Sequence, residues 1–512
     1  MNVISIQFFI FLIAFLVAYY IVPARKQWIV LLICSLAFYL AGGWKCIFLI
    51  VFTIVNTFLA ARKLGAINGQ IKHDLKQIAD RDQRKREKEK LIRKKKGIVA
   101  VTLVANFAVL FFFKTSFMWK EVPFLLPLGI SFYTFQMTGY LIDVYRAEYE
   151  PERSLFRYAL FASYFPQIIQ GPINRYQMLA PQFFKEHRLD SRNIKFGFWL
   201  FLWGMFKKLV ISGRAESFVS IVINGELSKT PGSIILLSVF LFNIQLYTDF
   251  SGGIDMMRGV SRMFGIEMAE NFRRPFFSES LGEYWRRWHI SLGAWIKDYV
   301  FYPIAMSKLF AKIGKRAKKL FGDHIGKNLP GGITSVITFV LIGLWHNVTL
   351  YYVAYGLWHG IIMAMSTMCA PLFKKYNDFF EIRTDCFSYR LFRRFRTWML
   401  ITIGEYFTLP ESTSASLMML KRTVFHFQMP ELYLSIGNYG LNMQGWAVLA
   451  FTILILACVS IKQEEGICIR EAMERQNLSF QCLMTIGIIF VIAIFGIYGP
   501  GYNAADFIYG GF

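Results

Sequence analysis

Apolar residues along this chain gather into long blocks separated by short polar or charged stretches. The blocks lie at roughly 4–23, 27–41, 45–61, 98–113, 123–142, 155–170, 195–212, 233–248, 332–345, 350–371, 444–461 and 480–498. Several are long enough to cross a hydrocarbon layer of about 30 Å as helices. Backbone groups left unpaired in lipid are costly, and the blocks are too long and too uniformly apolar for the alternating strands of a membrane barrel. The pattern therefore predicts an all-α polytopic integral membrane protein, a bundle of about ten to thirteen membrane helices. With no short repeat, one membrane-embedded domain over residues 1–512 is the simplest division. Composition agrees, because 55% hydrophobic residues and a mean hydropathy of +0.40 exceed what a water-soluble chain of 512 residues carries. The first block lacks a basic leader and an A-x-A site, and its nearest charges, Arg25 and Lys26, follow it, so it reads as a retained helix.

A net charge of +24 would suggest nucleic acid on a soluble domain, but here the excess sits in a few connections. The connection Arg62 to Gly97 holds 14 Lys/Arg against 5 Asp/Glu, and the stretches from Lys308 and from Phe373 are also basic. The positive-inside rule places all three on the cytoplasmic side and the amino terminus outside, three crossings before Arg62. Residues 62–97 read as a solvated cytoplasmic helix able to meet anionic lipid, not as a nucleic-acid site.

Between about 251 and 307 the apolar blocks give way to a segment too polar to cross and too aromatic for an ordinary loop. Trp285, Trp288, Trp295, Tyr299 and Tyr302 beside Arg286, Arg287 and Lys297 are the inventory of helices lying at or dipping into a membrane interface. Seven cysteines without C-x-x-C spacing make neither a disulfide framework nor a metal site, and histidines lack H-E-x-x-H spacing. No Walker-A sequence and no G-x-S-x-G elbow are present, which argues against an ATP-driven pump and a serine hydrolase.

Ionisable residues near membrane depth are expensive and so become functional candidates. Asp143 in "YLIDVYR" reads as a helix-end partner of Arg146. Asp249, before Ser-Gly-Gly, reads as a cap or hinge of a broken helix. His289 lies in the interfacial segment, and "LIGLWHNVTLYYVAYGLWHG" carries both His346 and His359. On one continuous helix the 13 residues between these two histidines would place them on different faces and about 20 Å apart in rise. A turn at Asn347 to Thr349 would instead send the second still farther along an antiparallel neighbour. Either way one working histidine, His346 at an apolar helix mouth, and one echo, His359 as a hydrogen-bonded packing residue, are expected. His289 is then the natural catalytic partner.

The segments "LPLGISFYTFQMTGYLIDVYR", "YFPQIIQGPINRY", "LYTDFSGGIDMMRG", "NFRRPFFSESLGEYWRRWHISLGAWIKDYVFYP" and "GLWHNVTLYYVAYGLWHG" together resemble the membrane-bound O-acyltransferase (MBOAT) family, in family order over roughly 124–360. The bacterial branch typified by the alginate O-acetyltransferase looks nearest, and "YGPGYNAADFIYGGF" at the carboxyl end resembles that branch as well. The resemblance implies a helical bundle around a central funnel, in a bacterial cytoplasmic membrane, where a cytoplasmic acyl donor meets an acceptor from the outer side. It places the family's invariant histidine on His346, the branch-typical second histidine on His289, and an acidic position on Asp298. Asn347 departs from the branch, which usually shows Gly after Trp-His, and this bears on the local backbone.

The chemistry suits these residues. A neutral imidazole, of ordinary pKa near 6.5, can take the proton of a sugar hydroxyl, and an apolar setting favours that neutral form. A thioester brings its own activated carbonyl, so no protein nucleophile, bound cofactor or metal is called for. His346 is expected as general base, His289 as orienter or oxyanion donor, Trp345 and Asn347 as further donors, and Asp249 and Asp298 as supporting groups. The implied substrates are an acetyl coenzyme A or acyl-carrier thioester and a cell-surface polysaccharide such as alginate, peptidoglycan or a capsule, with an extracytoplasmic partner acyltransferase. The alternatives are D-alanyl transfer toward teichoic acid, as in the family's sister branch, and a transporter without catalysis.

Overall fold

The computed structural model describes residues 3–41, 43, 47–115 and 129–498, and every regular element among them is helical. The carboxyl-terminal motif beyond Tyr498, and the start of the 123–142 block, lie outside the described residues. Among them seven helices are long and apolar enough to cross a membrane: Ala24–Ala41, Ile47–Lys72, Arg81–Thr115, Gly232–Met263, Asp323–His346, Met443–Glu464 and Leu478–Phe495. An eighth is formed if Leu350–Met368 and Ala370–Phe379, bent by 60°, count as one span. The larger number suggested by the apolar blocks falls in part because Ile6–Ile21 is a shorter helix and in part where the chain is broken. The 155–170 block is two short helices, Leu155–Ser163 and Phe165–Gln170, separated at Tyr164. Pro166 has no N–H for the preceding turn, and Phe165 to Gln170 are all buried, so this block is core packing.

The chain divides into two compact units. One holds the described residues up to Phe198 together with Met257–Ala269, and the other holds Trp199–Met256 and the described residues from Glu270 onward. The core of the first unit is aromatic: Phe15 lies 4.5 Å from Phe264 and 5.7 Å from Phe165 between ring centroids, and Tyr164 hydrogen-bonds Ser261 at 2.9 Å. The basic connection of this unit is an extension of two helices, Ile47–Lys72 and Arg81–Thr115, joined through a one-turn helix, Asp74–Gln77, with its cations largely exposed.

The second unit carries the candidate chemistry. Helix Gly232–Met263 runs unbroken through Asp249, Ser251, Gly252 and Gly253, so Asp249 is neither cap nor hinge. The shift away from long helix therefore comes after Met263 and not at Ser251. The reason is packing: a Cβ on Gly252 would stand 2.8 Å from the Gly204 carbonyl oxygen and 3.2 Å from the Lys208 nitrogen, so glycine here permits a close helix approach and not a turn.

The duplicated histidine stretch forms an antiparallel hairpin. Helix Asp323–His346 ends at Asn347, whose N–H still bonds the Gly343 carbonyl at 3.0 Å, and Leu350–Met368 begins after Thr349. Asn347 has φ −155° and ψ 144°, extended backbone open to any residue, so the glycine usual in the family is not required. The two helices meet along Gly343, Gly356 and Gly360; a Cβ on Gly356 would stand 2.7 Å from Val340 Cα, and one on Gly360 2.6 Å from Val336 Cα. Gly356→Ala is expected to force the helices apart and lower stability by about 1–3 kcal/mol. Thermal unfolding in detergent checks this, and a melting point equal to wild type would show that the hairpin yields without cost.

Candidate active site

The hairpin brings His359 nearer to His346 than one continuous helix would, and not farther as the sequence suggested. It lies opposite Phe339, seven residues before His346 and so about 10 Å along the axis. His359 is fully buried among Tyr355 at 4.6 Å, Trp285 at 5.1 Å and Phe339 at 6.0 Å, ring centre to ring centre. Neither ring nitrogen has a hydrogen-bond partner among the described residues, so the expected hydrogen-bonded packing histidine is a packed one without the bond. Gly404 makes room for it, since a Cβ there would stand 2.6 Å from His359 Nε2.

His346 is different. It is the last residue of its helix and half-buried, with Tyr352 stacked at 5.9 Å and 19° and Trp345 at 4.6 Å. The deeply buried imidazole of the pair is His289, which is 3% exposed. Trp345 touches both: its ring centre is 6.5 Å from His289 and 4.6 Å from His346. The tertiary fold thus brings His289 and His346 to one indole, Trp345, from two segments far apart in sequence.

Local structure fixes His289 firmly. Helix Leu281–Arg287, capped by the Ser280 hydroxyl, ends at Trp288, and Ile290–Ile296 starts at once, leaving His289 between them at φ 45° and ψ 53°. A left-handed conformation at a non-glycine residue needs surrounding support. Asn271 supplies it. Its Oδ1 accepts from the Ser291 N–H at 2.9 Å and the Ser291 hydroxyl at 2.8 Å, and lies 3.3 Å from His289 Nδ1. Its carbonyl accepts the Ile290 N–H at 2.9 Å. Because a backbone N–H only donates, Asn271 Oδ1 is fixed as the acceptor, which assigns the His289 proton to Nδ1 and a lone pair to Nε2. Neutral His289 therefore accepts at Nε2, and the oxyanion-donor role does not fit this tautomer.

Burial pushes the His289 imidazole down to about 3, against a smaller opposing pull from its own backbone carbonyl. An unfolded chain would protonate this ring near 6.5, so it binds the proton first as pH falls. Folding stability contributed by a neutral His289 is complete above about 6.5 and declines as pH drops from there toward 3. Melting temperature against pH is expected to fall more steeply below 6.5 in wild type than in His289→Asn, asparagine being tolerant of positive φ. Equal slopes would remove His289 as the source.

Asp249 is buried beneath this site and forms an ion pair with Lys208, also buried, while Lys207 Nζ reaches Asp255 Oδ2 and Ser251 Oγ, each at 2.8 Å. Phe250, next to Asp249, packs edge-on at 4.8 Å from His289. Both lysines lie in a π-helical stretch, Phe206–Ser212, a distortion found often at functional sites. These lysines and Asn271 were not singled out from the sequence. Two adjacent lysines inside the apolar block 195–212 were the available signal, because such charges persist at depth only when paired. Nothing marked Asn271 in "AENFRRP". Asp298 stands, half-buried, on a second π-helical stretch, Lys297–Phe301, where Pro303 supplies no N–H to continue the helical ladder.

Two imidazoles thus gather around one indole at a helix end of an all-helical membrane protein. The chain belongs to the membrane-bound O-acyltransferase family, whose model matches residues 149–409, and it is a multi-pass membrane acyltransferase. It is 32% identical to the probable alginate O-acetylase AlgI of Pseudomonas syringae pv. tomato, over 78% of this chain and 70% of that protein. It is 29% identical to the peptidoglycan O-acetyltransferase of Helicobacter pylori over 69% of this chain and 66% of that protein. The teichoic acid D-alanyltransferase of Bacillus subtilis is also 29% identical, over 49% of this chain and 60% of its own.

Proposed function

We propose that this acyltransferase takes acetyl groups from a cytoplasmic thioester and passes them across a bacterial cytoplasmic membrane for O-acetylation of a cell-surface or exported polysaccharide. The donor is acetyl coenzyme A or an acyl-carrier thioester, used as substrate, and an extracytoplasmic acyltransferase completes delivery. The observation that carries this reading is the gathering of His289 and His346, one buried and one half-buried imidazole, around the Trp345 indole. Relatives named for acetylation of alginate and peptidoglycan favour acetyl over D-alanyl transfer, since they align over more of the chain than those named for teichoic acid.

In the step proposed, an acceptor hydroxyl attacks the thioester carbonyl. The new C–O bond forms as His346 takes the hydroxyl proton, the C–S bond breaks, and the departing thiolate recovers a proton from the imidazolium. His289 Nε2, held as an acceptor by Asn271, orients the acceptor molecule through a second polar hydrogen, since the attacking hydroxyl gives its single proton to His346. Trp345 Nε1 and the Asn347 side-chain amide are the donors for the developing oxyanion. The cationic stretches at 62–97 and 308–321 attract an anionic donor.

The test is label transfer in membrane vesicles given labelled acetyl coenzyme A, or a D-alanyl carrier thioester, on the cytoplasmic face. Label reaching polysaccharide or partner protein from the acetyl donor supports the reading, and transfer from the D-alanyl donor alone replaces it with the sister activity. His359→Ala is expected to keep transferring, because that ring only packs.

A further inference from the structure

A cavity of the second unit is lined by neither His289 nor His346. It measures about 740 Å³ and is walled by Trp203 and Phe206, by Ile455 and Val459 of span Met443–Glu464, and by Ile488 and Val491 of span Leu478–Phe495. This volume is in the range of ligand pockets, roughly 300–1,000 Å³. The wall is not sealed by side chains. Gly487 lines it, and a Cβ added there would meet nothing within 4 Å. One polar bridge, from Trp199 Nε1 to the Thr485 hydroxyl at 2.9 Å, crosses the lining.

The two ends differ. Toward the connection between the two spans the lining becomes Gly466 to Arg470, with Arg274 and Glu270. Arg274 and Arg470 outnumber Glu270 among its charged residues, and that carboxylate is held by Arg273 through Nε at 3.1 Å and Nη2 at 2.9 Å. Both spans continue outside the groove as exposed apolar surface, with Phe451 63%, Leu454 58%, Phe490 59% and Ile494 67% exposed. A groove between two lipid-facing spans, apolar along its depth and guanidinium-bearing at the interfacial end, matches one class of molecule in its surroundings.

We propose that this groove holds a single bilayer phospholipid, its acyl chains along Val459, Ile488 and Val491 and its phosphate at Arg274 and Arg470. The site also touches the catalytic framework. Glu270 to Arg274 is the segment whose Asn271 clamps His289, and Arg273 N–H bonds the Arg287 carbonyl at 2.9 Å. Arg274 and Arg287 both pair with Glu464 at the end of the span that walls the groove. Lipid in the groove thus braces the segment behind His289.

Native mass spectrometry of the full-length protein in detergent, delipidated and then titrated with phosphatidylglycerol, tests this. Wild type is expected to retain one phospholipid, and its melting temperature is expected to rise on addition. Gly487→Phe, filling open space, is expected to retain at least about tenfold less and to melt independently of added lipid. Arg470→Gln is expected to weaken retention of phosphatidylglycerol by about tenfold while leaving diacylglycerol binding unchanged. Equal retention by wild type and Gly487→Phe overturns the site. Diacylglycerol held as tightly as phosphatidylglycerol by wild type overturns the phosphate assignment. A photocrosslinker at position 487 that captures a polypeptide in place of lipid overturns the occupant. These readouts are independent of acyl transfer, so they stand or fall apart from the proposed activity.

Discussion

Membranes carrying His346→Ala are expected to lose acyl transfer by about 10²–10⁴-fold while holding the protein at wild-type abundance, the range spanned by removal of a positioned general base. Abundance should hold because His346 is half-buried at a helix end, so truncation opens no sealed cavity. Asn347 keeps its hydrogen bond to Gly343, and the glycine seam of the hairpin is untouched. His359→Ala is the contrasting control, since it empties a fully enclosed site yet spares His289, Trp345 and His346. Labelled acetyl transfer with immunodetected membrane levels separates the two. Undiminished transfer by a normally inserted His346→Ala would make this histidine a packing residue and end the proposed chemistry at its centre.

Lys208→Met is expected to destabilise the protein by about 3–5 kcal/mol, the cost of leaving a buried carboxylate without its counter-charge. Both side chains of the Lys208–Asp249 pair are at most 4% exposed, so solvent offers little replacement. The double variant Lys208→Met with Asp249→Leu should recover most of the loss, because it removes both charges together. Through Phe250 the single variant should also disturb His289, lowering transfer beyond what the lost protein explains. Melting temperature and transfer per folded molecule are the measurements. A Lys208→Met protein that melts as wild type would mean that Asp249 is neutralised in another way.

The lysine pairs show where reading the chain stops. Their cost was visible in "FKKLV", but their partners were not, because Asp249 and Asp255 lie some forty residues on and meet them only when helices pack. The same polar residues made helix Gly232–Met263 look broken at Ser251. Once each aspartate has a lysine and each glycine a close neighbour, the polar run stays helical. Pro166 had the opposite effect, dividing an apolar block that had the length of a span.

By itself the sequence determined that the chain is helical, membrane-embedded and basic at a few connections. It also determined that His289 and His346 stand in segments characteristic of an acyltransferase family. Those properties follow from hydrophobicity, charge and short motifs, which act over a turn or a loop and survive without knowledge of the fold. Only the tertiary structure decided that Trp345 neighbours both histidines, that Asn271 sets His289 as an acceptor, and that His359 sits in an aromatic cage without a hydrogen bond. Each depends on side chains meeting across distant segments, where a rotation of one helix face or a shift of one turn changes the partner. Contacts of that kind are fixed by close packing and by satisfying buried polar groups, neither of which has a period along the chain.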